Sequence, residues 1–139
     1  MTFPASFLRG VPNPDFLLED GSAATHLFHF EDEHRRSDGW TEQSINWEDN
    51  QSALELIFNQ RRGDGELQFK TGAVRVSREE IDRLNRRPTV AGMLDYERRP
   101  IENNPYHGNL LLRSNVPKLT MRKIAAGIAL AVSEIIKRP

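Results

Sequence analysis

The stretch from Ile101 to Leu112, Ile101-Glu102-Asn103-Asn104-Pro105-Tyr106-His107-Gly108-Asn109-Leu110-Leu111-Leu112, constrains the fold more than any other. Three consecutive leucines leave no polar face, so this run suits a strand covered on both sides. The residues before it read as a bend. Pro105 fixes its own backbone and pushes Asn104 out of helical space. Asn103 and Asn104 can close the turn with their carboxamides. Gly108 lets another backbone or a ligand approach closely. His107 is therefore expected at the rim of a sheet, at the start of a buried strand.

The rest of the chain is read around that strand. Phe7–Val11 predicts a first strand, ended by Pro12 and Pro14. Asp20-Gly21 signals a turn, and residues 24–30 alternate like a strand. Residues 43–48 alternate with Ile45 and Trp47 inward. A helix follows from Asp49 or Asn50 to about Gln60, with Ala53, Leu54, Ile57 and Phe58 on one stripe. Residues 66–70 and 73–76 predict a hairpin. Ser77 with Glu80 forms a capping box for a short helix that Pro88 stops. Residues 90–96 predict another strand. The longest helix begins at Pro117 or Thr120 and runs to about Lys137, kept slim by its alanines and Gly127.

Strands and helices mix without a strict βαβ rhythm. The expectation is an α+β fold: one globular domain over residues 1–139, with a mostly antiparallel or mixed sheet and the long C-terminal helix packed across it.

Composition narrows the function classes. The net charge is −1, so no global field draws the chain to nucleic acid or an anionic membrane. The arginine pairs at 35–36, 61–62, 86–87 and 98–99 stand at element ends beside acidic residues, which disfavours a nucleic-acid surface. There is no cysteine, which excludes disulfides and thiolate chemistry and suits the cytoplasm. Met1 to Ala5 shows no signal-peptide pattern. No apolar run approaches the roughly twenty residues of a membrane span. No phosphate loop or dinucleotide fingerprint is present, so no cofactor is expected.

His107 leads the candidate catalytic residues, because an imidazole held in one orientation can act as general acid or base. Glu102, Tyr106 and Asn109 are its candidate helpers. The alternative is a structural histidine bonded to a loop carbonyl. Arg9 offers a planar fork for an anionic group. His26, His29 and His34 stand among acidic residues, but on a strand His26 and His29 diverge, so no metal site is expected. Trp40, beside the charged loop from Glu31 to Gly39, is the candidate anchor for a protein partner. Ser22 reads as a turn residue.

Taken together, Leu8-Arg9-Gly10-Val11-Pro12, then Asp20-Gly21-Ser22 ahead of Phe28, then Asn104-Pro105-Tyr106-His107-Gly108 resembles a loose group of short bacterial proteins. The group shares an early Leu-x-Arg segment, an Asp-Gly turn, a Ser-x-x-Phe segment and a late Asn-Pro-x-His-Ala-like element. Here Gly108 replaces the usual alanine, and the spacing after Ser22 is altered. The resemblance implies that Arg9, Asp20, Ser22, Asn104 and His107 converge in space, and it carries no mechanism. Asp20, Ser22 and Asn104 accordingly join Trp40 as candidate binding residues, and Tyr106 of the bend is counted with them.

Two functional expectations follow. The first is a small cytoplasmic interaction protein of immunity or antitoxin type that binds another protein. The second is a small hydrolase or transferase using His107 as acid or base, with Arg9 as anion binder.

Overall fold

The computed structural model describes residues 3–139. Met1 and Thr2, part of the stretch read for a signal peptide, lie outside the described residues. Among the described residues, six strands form one sheet: β1 (Ser6–Val11), β2 (Trp40–Trp47), β3 (Gly72–Ser77), β4 (Leu94–Arg98), β5 (His107–Arg113) and β6 (Val132–Lys137). Their order is β4-β5-β2-β1-β3-β6 and every pairing is antiparallel. The helices are α1 (Ser52–Asn59), α2 (Arg78–Asn85) and α3 (Lys118–Leu130). The fold is α+β, as expected.

Alternation along the strands gives the sheet two unlike faces. One carries Phe7, Val11, Ile45, Trp47, Val74, Val76, Leu110 and Leu112 and buries them under α2, α3 and residues 24–30. Ile124, Ala125 and Ile128 form the inward stripe of α3. Gly127 lets α3 approach α2, since a Cβ there would stand 3.0 Å from Leu84. The opposite face is covered only in part. Helix α1 lays Ala53 and Ile57 against Leu8 and Ala73, with Phe58, Phe69 and Tyr106 at the margin. The remainder of that face is largely polar, with Leu111 buried between Glu42 and Asp95.

Several local expectations are corrected. Residues 24–30 form no strand; Thr25–Phe28 is a 3-10 turn. Leu27, Phe28 and Phe30 are buried without any ladder partner, so burial and not pairing explains their apolarity. Residues 66–70 make only an isolated bridge, Arg61↔Leu67, and the hairpin with 73–76 does not form. Instead β3 lies between β1 and β6. Ser77 precedes α2 but makes no side-chain cap. The strand expected at 90–96 occupies Leu94–Arg98. The C-terminal helix stops at Leu130, and Val132–Lys137 pairs with β3. Trp40 opens β2 and is not a loop residue.

Among the described residues, no helix is long and apolar enough to cross a membrane.

Candidate functional site

The bend before β5 is built as a chain of carboxamide and backbone bonds. Ile101 and Asn104 exchange backbone bonds of 3.2 and 3.0 Å around Glu102 and Asn103. Asn103 takes φ 72°, in the left-handed region that asparagine tolerates. Asn104 Oδ1 accepts from the Tyr106 amide at 3.1 Å. Asn104 Nδ2 donates to Asn46 Oδ1 at 2.8 Å, and Asn46 Nδ2 donates to the Ala53 carbonyl at 3.1 Å. Both asparagines are buried. This relay ties the bend to β2 and α1 and fixes where β5 begins.

His107 is the first residue of β5, opposite Asn46. Its carbonyl accepts from the Arg99 amide at 3.0 Å, and its ring Nδ1 lies 2.9 Å from the Arg99 carbonyl. A carbonyl only accepts, so Nδ1 carries the proton. In the neutral ring, Nε2 is then the lone-pair nitrogen. It stands 3.3 Å from the hydroxyl of Ser44 on β2. Packing beneath the histidine is tight. A Cβ on Gly108 would stand 2.3 Å from Trp47 Nε1 and 2.4 Å from the Glu97 carbonyl. Only glycine lets that indole donate to Glu97 across β5, at 3.0 Å.

A cavity of about 540 Å³ opens beside this pair. Its floor is Leu8 and Gly10 of β1 with Ser44 and Asn46 of β2. Its walls are the end of α1 with Phe69 on one side and the 101–104 bend with His107 on the other. Glu102 sits exposed at the rim.

Arg9 is not part of this cavity. It pairs with Val74 and projects to the opposite face, where Nε donates to the Leu27 carbonyl at 2.8 Å and Nη1 to the Ser44 carbonyl at 2.7 Å. Burial pulls its guanidinium down to about 10, and Glu31 offsets this in part. Asp20 and Ser22 are also elsewhere. They close an exposed turn in which Ser22 Oγ donates to Asp20 Oδ1 at 2.5 Å, which holds the Asp20 carboxyl below its usual range. The convergence of Arg9, Asp20, Ser22, Asn104 and His107 is thus not observed; only Asn104 and His107 meet. The Tyr106 ring packs with the α1 cluster and does not line the cavity.

Of the expected helpers, Asn109 bonds Glu97 at 2.8 Å and Glu42 at 3.2 Å. These carboxylates belong to a network closed by Arg36, whose Nη1 lies 2.6 Å from Glu97. Trp40 is half-buried with the Arg113 guanidinium 4.0 Å over its ring. Most of the paired arginines are engaged: Arg35 with Asp32, Arg62 with Asp64, Arg98 with Asp49 and Arg99 with Glu97. The 3-10 turn brings His26 and His29 to one shallow cavity of about 450 Å³. Among the described residues, however, no group of three His, Asp or Glu could hold a metal ion.

Ser44 is the site residue that the sequence did not single out. Its signal was faint. In the alternation of residues 43–48, Ser44 and Asn46 occupy the face that Ile45 and Trp47 leave, but only the long-range register with β5 sets Ser44 beside His107. No protein-family model, no curated protein and no solved structure matches the chain.

Proposed function

We propose that the chain is a small hydrolase or transferase acting on acyl groups, with Ser44 as nucleophile and His107 as its base. The observation that carries the reading is the oriented imidazole. A ring pinned at Nδ1 by a carbonyl offers Nε2 to a hydroxyl at the mouth of a cavity. That is the geometry of an activated nucleophile, and apo structures often show this contact slightly long.

In this reaction Ser44 Oγ bonds to the substrate's carbonyl carbon while its proton passes to Nε2. The carbonyl electron pair moves to oxygen. On collapse, the bond to the leaving group breaks and that group takes the proton from His107. Water or an acceptor alcohol then repeats the sequence in reverse and frees Ser44. The third partner is a carbonyl and not a carboxylate. It orients the ring but adds no full negative charge to stabilise the imidazolium, so turnover should be slower than in a triad with aspartate.

The test is a fluorophosphonate probe followed by peptide mass spectrometry, with 4-nitrophenyl ester hydrolysis in parallel. Labelling of Ser44 that His107→Ala abolishes is the expected result. An intact protein that leaves Ser44 unlabelled ends the reading.

A second reading draws on a different observation. Trp40 with Arg113 stacked on it pairs two residue types that anchor interfaces. It supports the immunity- or antitoxin-like role, in which a cytoplasmic protein binds another protein. Co-purification from the host, lost in Trp40→Ala, checks it. Recovery solely as a free monomer would count against it.

A further inference from the structure

We propose that the Gly10 amide is the donor that receives the substrate's carbonyl oxygen, and that Arg9 is the positioning residue that keeps this amide free. The assignment rests on the acyl-transfer reading and names its oxyanion partner.

The argument begins with which way the backbone faces. The Ala5 and Val11 carbonyls accept from Arg78 and Thr71, on the β3 side of β1. Alternation therefore turns Leu8 and Gly10 toward β2. On β2, the Trp47 amide donates to Tyr106 at the start of β5. Ile45 thus faces β5, and Asn46 and Ser44 face β1. The β1–β2 ladder contains Phe7↔Trp47 and Leu8↔Asn46 and then stops. In register, the next hydrogen-bonded pair would be Gly10 with Ser44. Its place is taken by Arg9, whose Nη1 donates to the Ser44 carbonyl at 2.7 Å while Nε holds Leu27 at 2.8 Å.

The ladder does not reach the Gly10–Ser44 pair, and the guanidinium holds the carbonyl that the Gly10 amide would have bonded. Gly10 is buried, yet it lines the cavity together with Ser44. Buried amides without a protein partner are rare, and one beside a cavity is disposed to bond a ligand. The residue must also be glycine for the cavity wall to close. A Cβ there would stand 2.2 Å from the Phe69 ring. Arg9 works from the far side of the sheet and touches no substrate. The ligand class is a planar acyl carbonyl, whose oxygen gains charge as Ser44 attacks; the amide bonds that oxygen and transfers no proton.

The experiment uses the full chain, labelled with nitrogen-15, and phenylboronic acid as a probe that forms a tetrahedral adduct on a serine hydroxyl. Three results are expected. The Gly10 amide exchanges with solvent faster than those of Leu8 and Arg9, and its resonance shifts on adduct formation. Arg9→Met lets Gly10 bond Ser44, which slows that exchange and lowers kcat by on the order of 10²-fold with KM nearly unchanged. Arg9→Lys, which keeps one donor, restores most of the activity.

A Gly10 amide already protected in the unmodified protein overturns the proposal. So does a folded Arg9→Met variant with full kcat. If Arg9→Met fails to fold, amide exchange in the unmodified protein and kcat of Arg9→Lys decide. An adduct on Ser44 that leaves the Gly10 resonance unmoved overturns the oxyanion assignment alone. Absence of an adduct on Ser44 overturns the acyl-transfer reading and this assignment with it.

Discussion

Strand β2 is zipped on one side and split on the other. Toward β5 its ladder runs unbroken from Trp40↔Arg113 to Asn46↔His107. Toward β1 it ends after Leu8↔Asn46. The zipped seam buries Leu110 and Leu112 on the same face as Ile45 and Trp47, sets the buried polar Gln43 and Thr41 opposite those leucines, and fixes the register that brings His107 to Ser44. The split seam opens beside a cavity lined by Leu8, Gly10, Ser44 and Asn46. Regular pairing thus supplies the precision of the site, and its local failure supplies the opening.

Two glycines, one at each seam, test that contrast most sharply. An alanine at Gly108 would drive its Cβ to 2.4 Å from the Glu97 carbonyl and 2.3 Å from the buried Trp47 indole. Neither can retreat without breaking the bond between them. Gly108→Ala should cost about 3 kcal/mol or more. At Gly10 the clash is nominally as close, 2.2 Å, but it falls on the ring of half-buried Phe69, which can swing into the cavity. Gly10→Ala should cost about 1 kcal/mol. Urea unfolding of both variants measures the difference. Equal losses would erase the distinction between the seams.

The next effect in size comes from the relay that joins the bend to both seams. Asn104→Ala strands Asn46 Oδ1 and the Tyr106 amide in a buried setting. The expected loss is about 2 kcal/mol. Because the same bend begins β5, the Ser44–His107 contact should loosen as well. Ester hydrolysis should therefore fall further in Asn104→Ala than in a surface control away from the cavity such as Lys123→Ala. A variant with the stability loss and unchanged kcat would show that the relay only holds the fold.

How far the sequence revealed this arrangement depends on whether a signal was local. The bend at Pro105, the triple-leucine strand, the inward Ile45 and Trp47, and Ala53 and Ile57 of α1 are local patterns, and all lie where those patterns put them. Residues 24–30 carry an apolar alternation too, but it reflects burial beneath α3 and lacks a neighbouring strand. The stretch after Leu130 continues a helical spacing, Ile128, Val132 and Ile135, yet the open edge of β3 captures it as β6. Arg9 reads as an anion binder by type. Its true setting, a wedge in a seam on the far face, depends on a pairing that does not form. Ser44 is legible only through a register spanning 63 residues of chain.

Acid should act at the closed end of the split seam. There Glu48 accepts from Ser6 Oγ at 2.8 Å and from Arg75 at 2.6 and 2.9 Å. Burial pushes the Glu48 carboxyl up, but the bonds from Arg75 and Ser6 outweigh it and hold it below the usual glutamate range. The folded state therefore binds this proton less readily than the unfolded chain does. The stabilisation is present above the unfolded value, about 4.3, and is lost as pH falls through the lower folded value. Unfolding midpoints taken from pH 6 down to pH 3 should drop, and Glu48→Gln should flatten the acid limb. An unaltered limb would remove Glu48 as the clasp of that seam.

The smallest effect lies at the other extreme of pH and on the zipped side. Tyr96 on β4 packs edge-on to Trp47 with centroids 5.4 Å apart, and its hydroxyl donates to Asp82 at 2.8 Å. Burial first, then the bond to Asp82, pushes the phenol up to about 12. Folding thus favours the protonated phenol. Its contribution is complete below the unfolded value of about 10 and fades as pH rises through about 12. Tyr96→Phe should cost no more than about 1 kcal/mol at neutral pH, because Asp82 keeps access to water. The variant should also lose less stability than the parent between pH 10 and 12. Absorbance titration of the phenolate beside thermal unfolding separates the two possibilities. If Tyr96 ionises near its ordinary value while the fold holds, the bond to Asp82 is not maintained in solution, and the β4 edge is looser than the ladder beside it.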